Sequence, residues 1–137
     1  MHTTEHIKPT ILMADDDYED LEMIEEAITS IKPDASLHKV VNGKAAIEFL
    51  SSQPDNKLPC LIVLDYNMPE LTGLEVLSLI RKNKRYEKIP KVILSTSNTP
   101  ADVRECLNKG ATEYLVKPSN MTALLNVAEK MLKYCGR

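Results

Sequence analysis

The most restrictive feature of the sequence is a run of five hydrophobic residues, CLIVL, at positions 60–64. The run follows a polar stretch at positions 51–59 and ends abruptly at Asp65. A short and uninterrupted apolar run is typical of a strand that is buried on both faces, as in a parallel sheet with helices on each side. The run therefore predicts a central strand with an aspartate at its carboxyl end.

Short apolar runs alternate with longer amphipathic stretches along the rest of the chain. Helical spacing of apolar residues follows each run, and capping residues such as Asp17 and Thr99, with Pro100 behind it, mark helix starts. This alternation, without a repeat or linker, predicts a doubly wound α/β fold in which five strands alternate with five helices. The strands are predicted at residues 10–14, 37–41, 60–64, 92–95 and 114–116.

Length and composition limit the class of protein. The 137 residues suit one domain, which we place at residues 10–137 behind a flexible tail at residues 1–9. A net charge of −3 argues against a nucleic-acid-binding or membrane-binding surface, and no apolar run reaches membrane-spanning length, so we expect a cytoplasmic protein. Three widely separated cysteines without metal-ligand spacing predict neither a disulfide nor a zinc framework.

Charged and hydroxyl side chains follow several of the predicted strands. Because ligands of doubly wound folds bind outside the carboxyl ends of the strands, these groups are expected to share one edge of the sheet. Carboxylates gathered there would repel one another without a cation, and Mg²⁺ prefers oxygen ligands combined with phosphate oxygens. The sequence thus predicts a Mg²⁺ and phosphoryl site. Its candidate residues are Asp15, Asp16, Asp65, Ser95 and Lys117.

Four segments in the same order resemble one family. They read ILMADD, LIVLDYNMPELTG, VILS and GATEYLVKP, and with their spacing they make the chain similar to the receiver domain of response regulators over residues 10–132. The likeness is to stand-alone receiver domains of the chemotaxis-regulator kind. It implies a flavodoxin-like sheet with strand order 2-1-3-4-5 and a role in two-component signal transduction.

The resemblance also implies what each site residue does. Asp65 would accept a phosphoryl group from a phosphohistidine of a sensor histidine kinase or a histidine phosphotransfer protein. Lys117 would pair with the phosphoryl oxygens. The protein would be a switch rather than an enzyme, although with Mg²⁺ it would phosphorylate itself from small donors and lose the group again by hydrolysis. Mg²⁺ would be held by Asp16, Asp65 and the backbone carbonyl of Asn67, with Asp15 acting mainly through water.

Further positions concern the switch and its timing. Ser95 would turn to the phosphoryl group and Tyr114 would turn inward behind it, while Asn67 and Ser97 resemble the positions that tune hydrolysis. The Lys117–Pro118 peptide bond is expected to be cis by the same resemblance. Three residues, Thr72, Lys91 and Ser119, depart from the commonest pattern of the family, and we expect them at or near the surface.

Two other functions are compatible with parts of the sequence. A phosphatase of the haloacid-dehalogenase type would use Asp15 as nucleophile and Asp17 as general acid, but Glu19 stands where that family usually has Thr or Val. A receiver-like interaction module that needs no phosphorylation is the second alternative. The downstream target, the oligomeric state and the choice between a terminal regulator and a relay intermediate stay open.

Overall fold

A computed structural model describes residues 10–136, so the tail predicted at residues 1–9 lies outside the described part of the chain. Five parallel strands form one sheet in the order β2-β1-β3-β4-β5, which confirms the predicted fold class and strand order. The strands are β1 (Thr10–Ala14), β2 (Ser36–Val40), β3 (Leu61–Leu64), β4 (Lys91–Ser95) and β5 (Glu113–Val116).

Five helices connect or follow the strands and cover both faces of the sheet. Asp17 and Thr99 cap helix starts as the sequence suggests, and Asn120 caps another; each side chain accepts a backbone N–H of the first turn. Thr72 forms a capping box with Glu75 at the start of the helix that begins at Gly73. The helices are α1 (Tyr18–Ile31), α2 (Gly43–Ser52), α3 (Gly73–Ile80), α4 (Pro100–Asn108) and α5 (Met121–Lys133).

The sheet separates two hydrophobic cores. Leu61 and Val63 of β3 pack with α1 and α5, whereas Ile62 and Leu64 pack with α2, α3 and α4. All four side chains of β3 are buried, which confirms the prediction of a central strand covered on both faces. The apolar packing on both faces holds β3 in place within the sheet and thus fixes the position of Asp65 at its carboxyl end. None of these helices is long and apolar enough to cross a membrane.

The cysteine prediction was wrong. Cys60 and Cys135 form a disulfide, and their Cα atoms lie 5.2 Å apart although 75 positions separate them in the sequence. The carboxyl end of α5 packs on the same core as the start of β3, so the fold brings together two residues that spacing could not pair. Cys106 is a buried free cysteine, and burial raises the pKa of its thiol to about 11.

Lys91 also differs from the prediction. Its side chain is not near the surface: the residue is 8% exposed, and its ammonium group donates to the carbonyl oxygens of Tyr86 and Glu87. The loop after α3 folds over the start of β4 and covers the side chain. Ser119 is exposed and Thr72 is partly exposed, as expected.

Candidate functional site

Asp65 follows β3 directly and is 9% exposed. Its backbone N–H donates to the carbonyl of Ala14 at 2.9 Å, so the aspartate continues the pairing of β3 with β1. Gly73 makes this position possible, because a Cβ atom there would lie 2.3 Å from the carbonyl oxygen of Asp65. The start of α3 can therefore pack against the backbone of the aspartate.

The other two carboxylates come from the end of β1. Asp15 is 4% exposed and accepts the backbone N–H of Asp17, whereas Asp16 is exposed. One oxygen from each of Asp15, Asp16 and Asp65 lies within 4.8 Å of the other two. Three hard oxygen donors this close, two of them buried, fit the needs of a divalent cation such as Mg²⁺. The structure thus brings the three predicted carboxylates together.

Lys117 supplies the positive charge on the other side of these carboxylates. It follows β5, and its backbone N–H donates to the carbonyl of Ser95 at 2.8 Å. Its Nζ lies 2.6 Å from an oxygen of Asp15 and 3.6 Å from an oxygen of Asp65. The prediction of a cis bond to Pro118 was wrong, since every peptide bond within residues 10–136 is trans. Lys117 reaches the carboxylates although the peptide bond to Pro118 is the commoner trans isomer.

The protonation of the site reflects this crowding. Burial, reinforced by the negative charge of Asp15, raises the pKa of Asp65 to about 7, although the charge of Lys117 acts in the opposite direction. For Lys117 burial alone would lower the pKa, but hydrogen bonds to Asp15 and Asp20 together with the charge of Asp65 hold it above its usual value. Lys117 therefore stays protonated, and its positive charge does not fully offset the effects of burial and of Asp15 on the pKa of Asp65.

Asp20 is a member of the site that the sequence analysis missed. It lies in the first turn of α1 and accepts a hydrogen bond from Lys117 Nζ at 2.8 Å. In the sequence it looks like one of several acidic residues that favour a helix start. Asp20 differs from Glu19 because the packing of α1 places it beside Lys117, which follows β5. The spacing of residues within the helix does not predict this contact.

The hydroxyl residues of the predicted switch, Ser95 at the end of β4 and Tyr114 in β5, both contact the loop between β4 and α4. Ser95 is 1% exposed, and its Oγ accepts the backbone N–H of Ser97. The hydroxyl of Tyr114 donates to the carbonyl of Ser97 at 2.6 Å. Asn67 is exposed in the loop after Asp65. Ser95 and Tyr114 thus both contact the residue at position 97, one through its N–H and the other through its carbonyl.

A second cluster that the sequence did not reveal lies beside this loop. Asp102 of α4 accepts the hydroxyl of Ser97 at 2.7 Å and the hydroxyl of Tyr66 at 3.3 Å. These hydrogen bonds, the one from Ser97 first, lower the pKa of Asp102. Burial and the negative charge of Asp102 raise the pKa of Tyr66 to about 12. In the sequence Asp102 looks like an ordinary acidic residue in the first turn of a helix.

Comparison with known proteins agrees with this geometry. Residues 11–129 match the model of the response regulator receiver domain. The chain belongs to this family. It is similar to the two-component response regulator ORR11 of Oryza sativa subsp. indica, with 37% identity over 80% of this chain and 71% of the relative.

Solved structures of response regulators resemble the receiver domain described here. The Mn²⁺-bound form of response regulator Rcp1 has a TM-score of 0.80 and 30% identity, covering 93% of this chain and 94% of the other. The phosphorylated cyanobacterial phytochrome response regulator RcpA has a TM-score of 0.83 and 26% identity, with the same coverage of 93% and 94%. The chain is therefore a receiver domain of two-component signalling, and its acidic cluster is consistent with the divalent cation of the family.

Proposed function

We propose that this receiver domain takes a phosphoryl group on Asp65 from a phosphohistidine of a sensor kinase or a histidine phosphotransfer protein. The observation that carries the proposal is the position of Asp65 itself. Its carboxylate is nearly buried at the end of the central strand, between two further carboxylates and an ammonium group. An aspartate in such surroundings is suited to accept a phosphoryl group, because the ammonium group and a cation held by the carboxylates would neutralise charge on the phosphoryl oxygens.

Mg²⁺ is the cation that we expect among the carboxylates. Asp16, Asp65 and the backbone carbonyl of Asn67 would hold it directly, and Asp15 would contribute mainly through water. When bound, the ion would neutralise negative charge on the phosphoryl oxygens. The fit rests on the three carboxylate oxygens that approach within 4.8 Å of one another. The direct ligands, including the carbonyl of Asn67, stay predictions.

Lys117 is placed to contact a phosphoryl group on Asp65. Its Nζ already lies 3.6 Å from Asp65 and is fixed by Asp15 and Asp20. A phosphoryl group on Asp65 would place new oxygen acceptors beside this ammonium group, and hydrogen bonds between two charged partners are the strong ones. The lysine would then divide its three donors between the phosphoryl group and the carboxylates that hold it.

The response to phosphorylation is expected to start in the β4–α4 loop. Ser95 would turn its hydroxyl from its own loop to the phosphoryl group, and Tyr114 would follow it. Asn67 and Ser97 would tune the rate of hydrolysis. The altered surface would serve a protein target or the next member of a relay. Cytoplasmic location and the absence of nucleic-acid and membrane partners stay predictions from the sequence.

Intact-mass measurement with Mg²⁺ and acetyl phosphate tests the proposal. We expect the wild type to gain the mass of one phosphoryl group and Asp65→Asn to gain none. Asp55→Asn is the matched control, because Asp55 is an exposed aspartate outside the site. No adduct in the wild type under conditions that saturate Mg²⁺ binding would contradict the proposal and favour an interaction module that needs no phosphorylation.

Asp15→Asn separates the receiver from the aspartate-phosphatase alternative. If the protein is a receiver domain, this variant is still phosphorylated on Asp65, although at a lower rate. In the phosphatase reading Asp15 is the nucleophile, so its replacement would abolish the adduct while Asp65→Asn would leave it. Peptide mapping after reductive trapping of the acyl phosphate identifies the labelled aspartate.

A further inference from the structure

Asp102 connects the two loops that flank the proposed phosphorylation site. It lies in the first turn of α4 and is partly exposed. One carboxylate oxygen accepts the hydroxyl of Ser97, from the β4–α4 loop, at 2.7 Å, and the other accepts the hydroxyl of Tyr66, from the β3–α3 loop, at 3.3 Å. A single side chain thus joins three segments of the chain.

Both partners of Asp102 are neighbours of residues that are expected to act in the switch. Tyr66 follows Asp65 directly, and Ser97 lies two positions after Ser95. The backbone of Ser97 is also fully used, since its N–H donates to the Ser95 hydroxyl and its carbonyl accepts the Tyr114 hydroxyl. Position 97 is therefore held through its side chain, its N–H and its carbonyl at the same time.

This arrangement opposes the movement that the proposed switch requires. The proposed switch turns the hydroxyl of Ser95 away from its own loop toward a phosphoryl group on Asp65, and this movement gives up the hydrogen bond from the N–H of Ser97. The hydrogen bond from Ser97 to the ionised carboxylate of Asp102 fixes the loop in its present conformation. Hydrogen bonds to charged acceptors contribute more than those between neutral groups, so the hydrogen bond from Ser97 to Asp102 is a substantial restraint on this loop.

We propose that Asp102 is a positioning residue that fastens the β4–α4 loop to the β3–α3 loop and thereby sets the threshold for activation of the receiver domain. The inference rests on the proposed function, because the threshold concerns the response to a phosphoryl group on Asp65. Asp102 contacts neither Asp65 nor Lys117 in any described hydrogen bond or ion pair, and it acts through Ser97 and Tyr66. A phosphoryl group and a loosened restraint are expected to bias the same equilibrium.

Titration with beryllofluoride in the presence of Mg²⁺ tests the inference, with a shift of the Tyr114 amide in NMR spectra as the readout. Relative to the wild type, Asp102→Asn is expected to lower the half-saturating beryllofluoride concentration at least about threefold, because the loop rearranges against a weaker restraint. Glu105→Gln is the matched control, since it removes one exposed carboxylate from the same helix, and it is expected to leave the midpoint unchanged.

A double-mutant comparison separates positioning from a general effect of charge. In the Ser97→Ala, Tyr66→Phe background Asp102 has lost both hydroxyl partners, so Asp102→Asn is expected to change the midpoint no further. An unchanged or raised midpoint in the single variant, or an equal effect in the double-substituted background, would overturn the inference.

A measurement without any phosphoryl mimic keeps this inference distinct from the proposed function. The ¹⁵N heteronuclear NOE of residues 96–99 is expected to fall in Asp102→Asn and to stay unchanged in Glu105→Gln. If beryllofluoride has no effect on the wild type, the proposed function fails, and the NOE still decides whether Asp102 restrains the loop. Equal NOE values in both variants would overturn that restraint.

Discussion

Two largely buried lysines at opposite ends of the strands show that the partners of such a charge decide its pKa. At the carboxyl edge, the side chain of Lys117 is 12% exposed and lies between the carboxylates of Asp15, Asp20 and Asp65. At the amino edge, Lys91 is 8% exposed and donates to two backbone carbonyls. Among residues 10–136, Lys91 takes part in no salt bridge.

The pKa values of the two lysines move in opposite directions. Burial lowers the pKa of Lys91, and the nearby charge of Glu87 offsets only part of that effect. Hydrogen bonds to carboxylates overcome the same effect of burial at Lys117 and raise its pKa. Burial alone therefore does not distinguish the two lysines. Their partners do, because Lys117 contacts three carboxylates and Lys91 contacts backbone carbonyls.

The largest expected difference between the two lysines concerns phosphorylation. Lys117→Met is expected to slow phosphorylation of Asp65 by acetyl phosphate at least about 100-fold, since it removes a preorganised cation from the phosphoryl oxygens. Lys91→Met, the matched control at the other edge, is expected to retain the wild-type rate. The rate is measured by intact mass over time in Mg²⁺. Equal phosphorylation rates in Lys117→Met and Lys91→Met would contradict the expected difference between the two lysines.

The second prediction concerns stability in the absence of Mg²⁺. Lys117→Met is expected to lower the free energy of unfolding by about 3 kcal/mol, because it leaves buried carboxylates without their partner. Lys91→Met is expected to change it by less than about 1 kcal/mol, because loss of two hydrogen bonds is offset by relief of the burial of charge. Urea unfolding in EDTA measures both values, and an equal loss in the two variants would contradict the comparison.

Mg²⁺ provides the third prediction. Addition of Mg²⁺ at ten times its dissociation constant is expected to stabilise the wild type by about 1.4 kcal/mol, as follows from binding to the folded state alone. Asp16→Asn is expected to lose most of this gain, whereas Asp55→Asn is expected to keep it. Thermal unfolding at fixed ionic strength checks the effect. A full gain in Asp16→Asn would show that the ion binds elsewhere.

The smallest predicted effect is a dependence on pH. Because the folded state lowers the pKa of Lys91 below the usual 10.5, the unfolded state binds more protons between those two values. The cost of the buried charge is fully present below the folded pKa and is relieved as the pH rises toward 10.5. The stability of the wild type relative to Lys91→Met is thus expected to rise across this window. Urea unfolding from pH 7 upward measures the difference, and a falling difference would contradict the sign.

The sequence predicted the parts of the site that lie at strand ends. Asp15, Asp65 and Lys117 each follow an apolar run directly, and the rule for doubly wound sheets brings such residues to one edge. The family resemblance added the strand order, which the structure confirmed. These features depend on the local pattern and on topology, both of which a single sequence records.

The residues that the sequence did not reveal depend on packing between distant segments. Asp20 and Asp102 both look like acidic residues at a helix start, and only their partners distinguish them. Lys91 is buried because the loop after α3 covers it, and Cys135 meets Cys60 because the end of α5 packs on the same core as the start of β3. Distances of this kind follow from the assembled fold rather than from spacing along the chain.

The disulfide between Cys60 and Cys135 has a mechanical consequence for α5. It anchors the turn after the last residue of this helix to the amino edge of the sheet, at the opposite end of β3 from Asp65. The other end of α5 begins four residues after Lys117 and has no such anchor. The covalent link restricts separation of this end of α5 from the start of β3, whereas the end nearer to Lys117 is held against the sheet by non-covalent packing such as that of the buried Leu124.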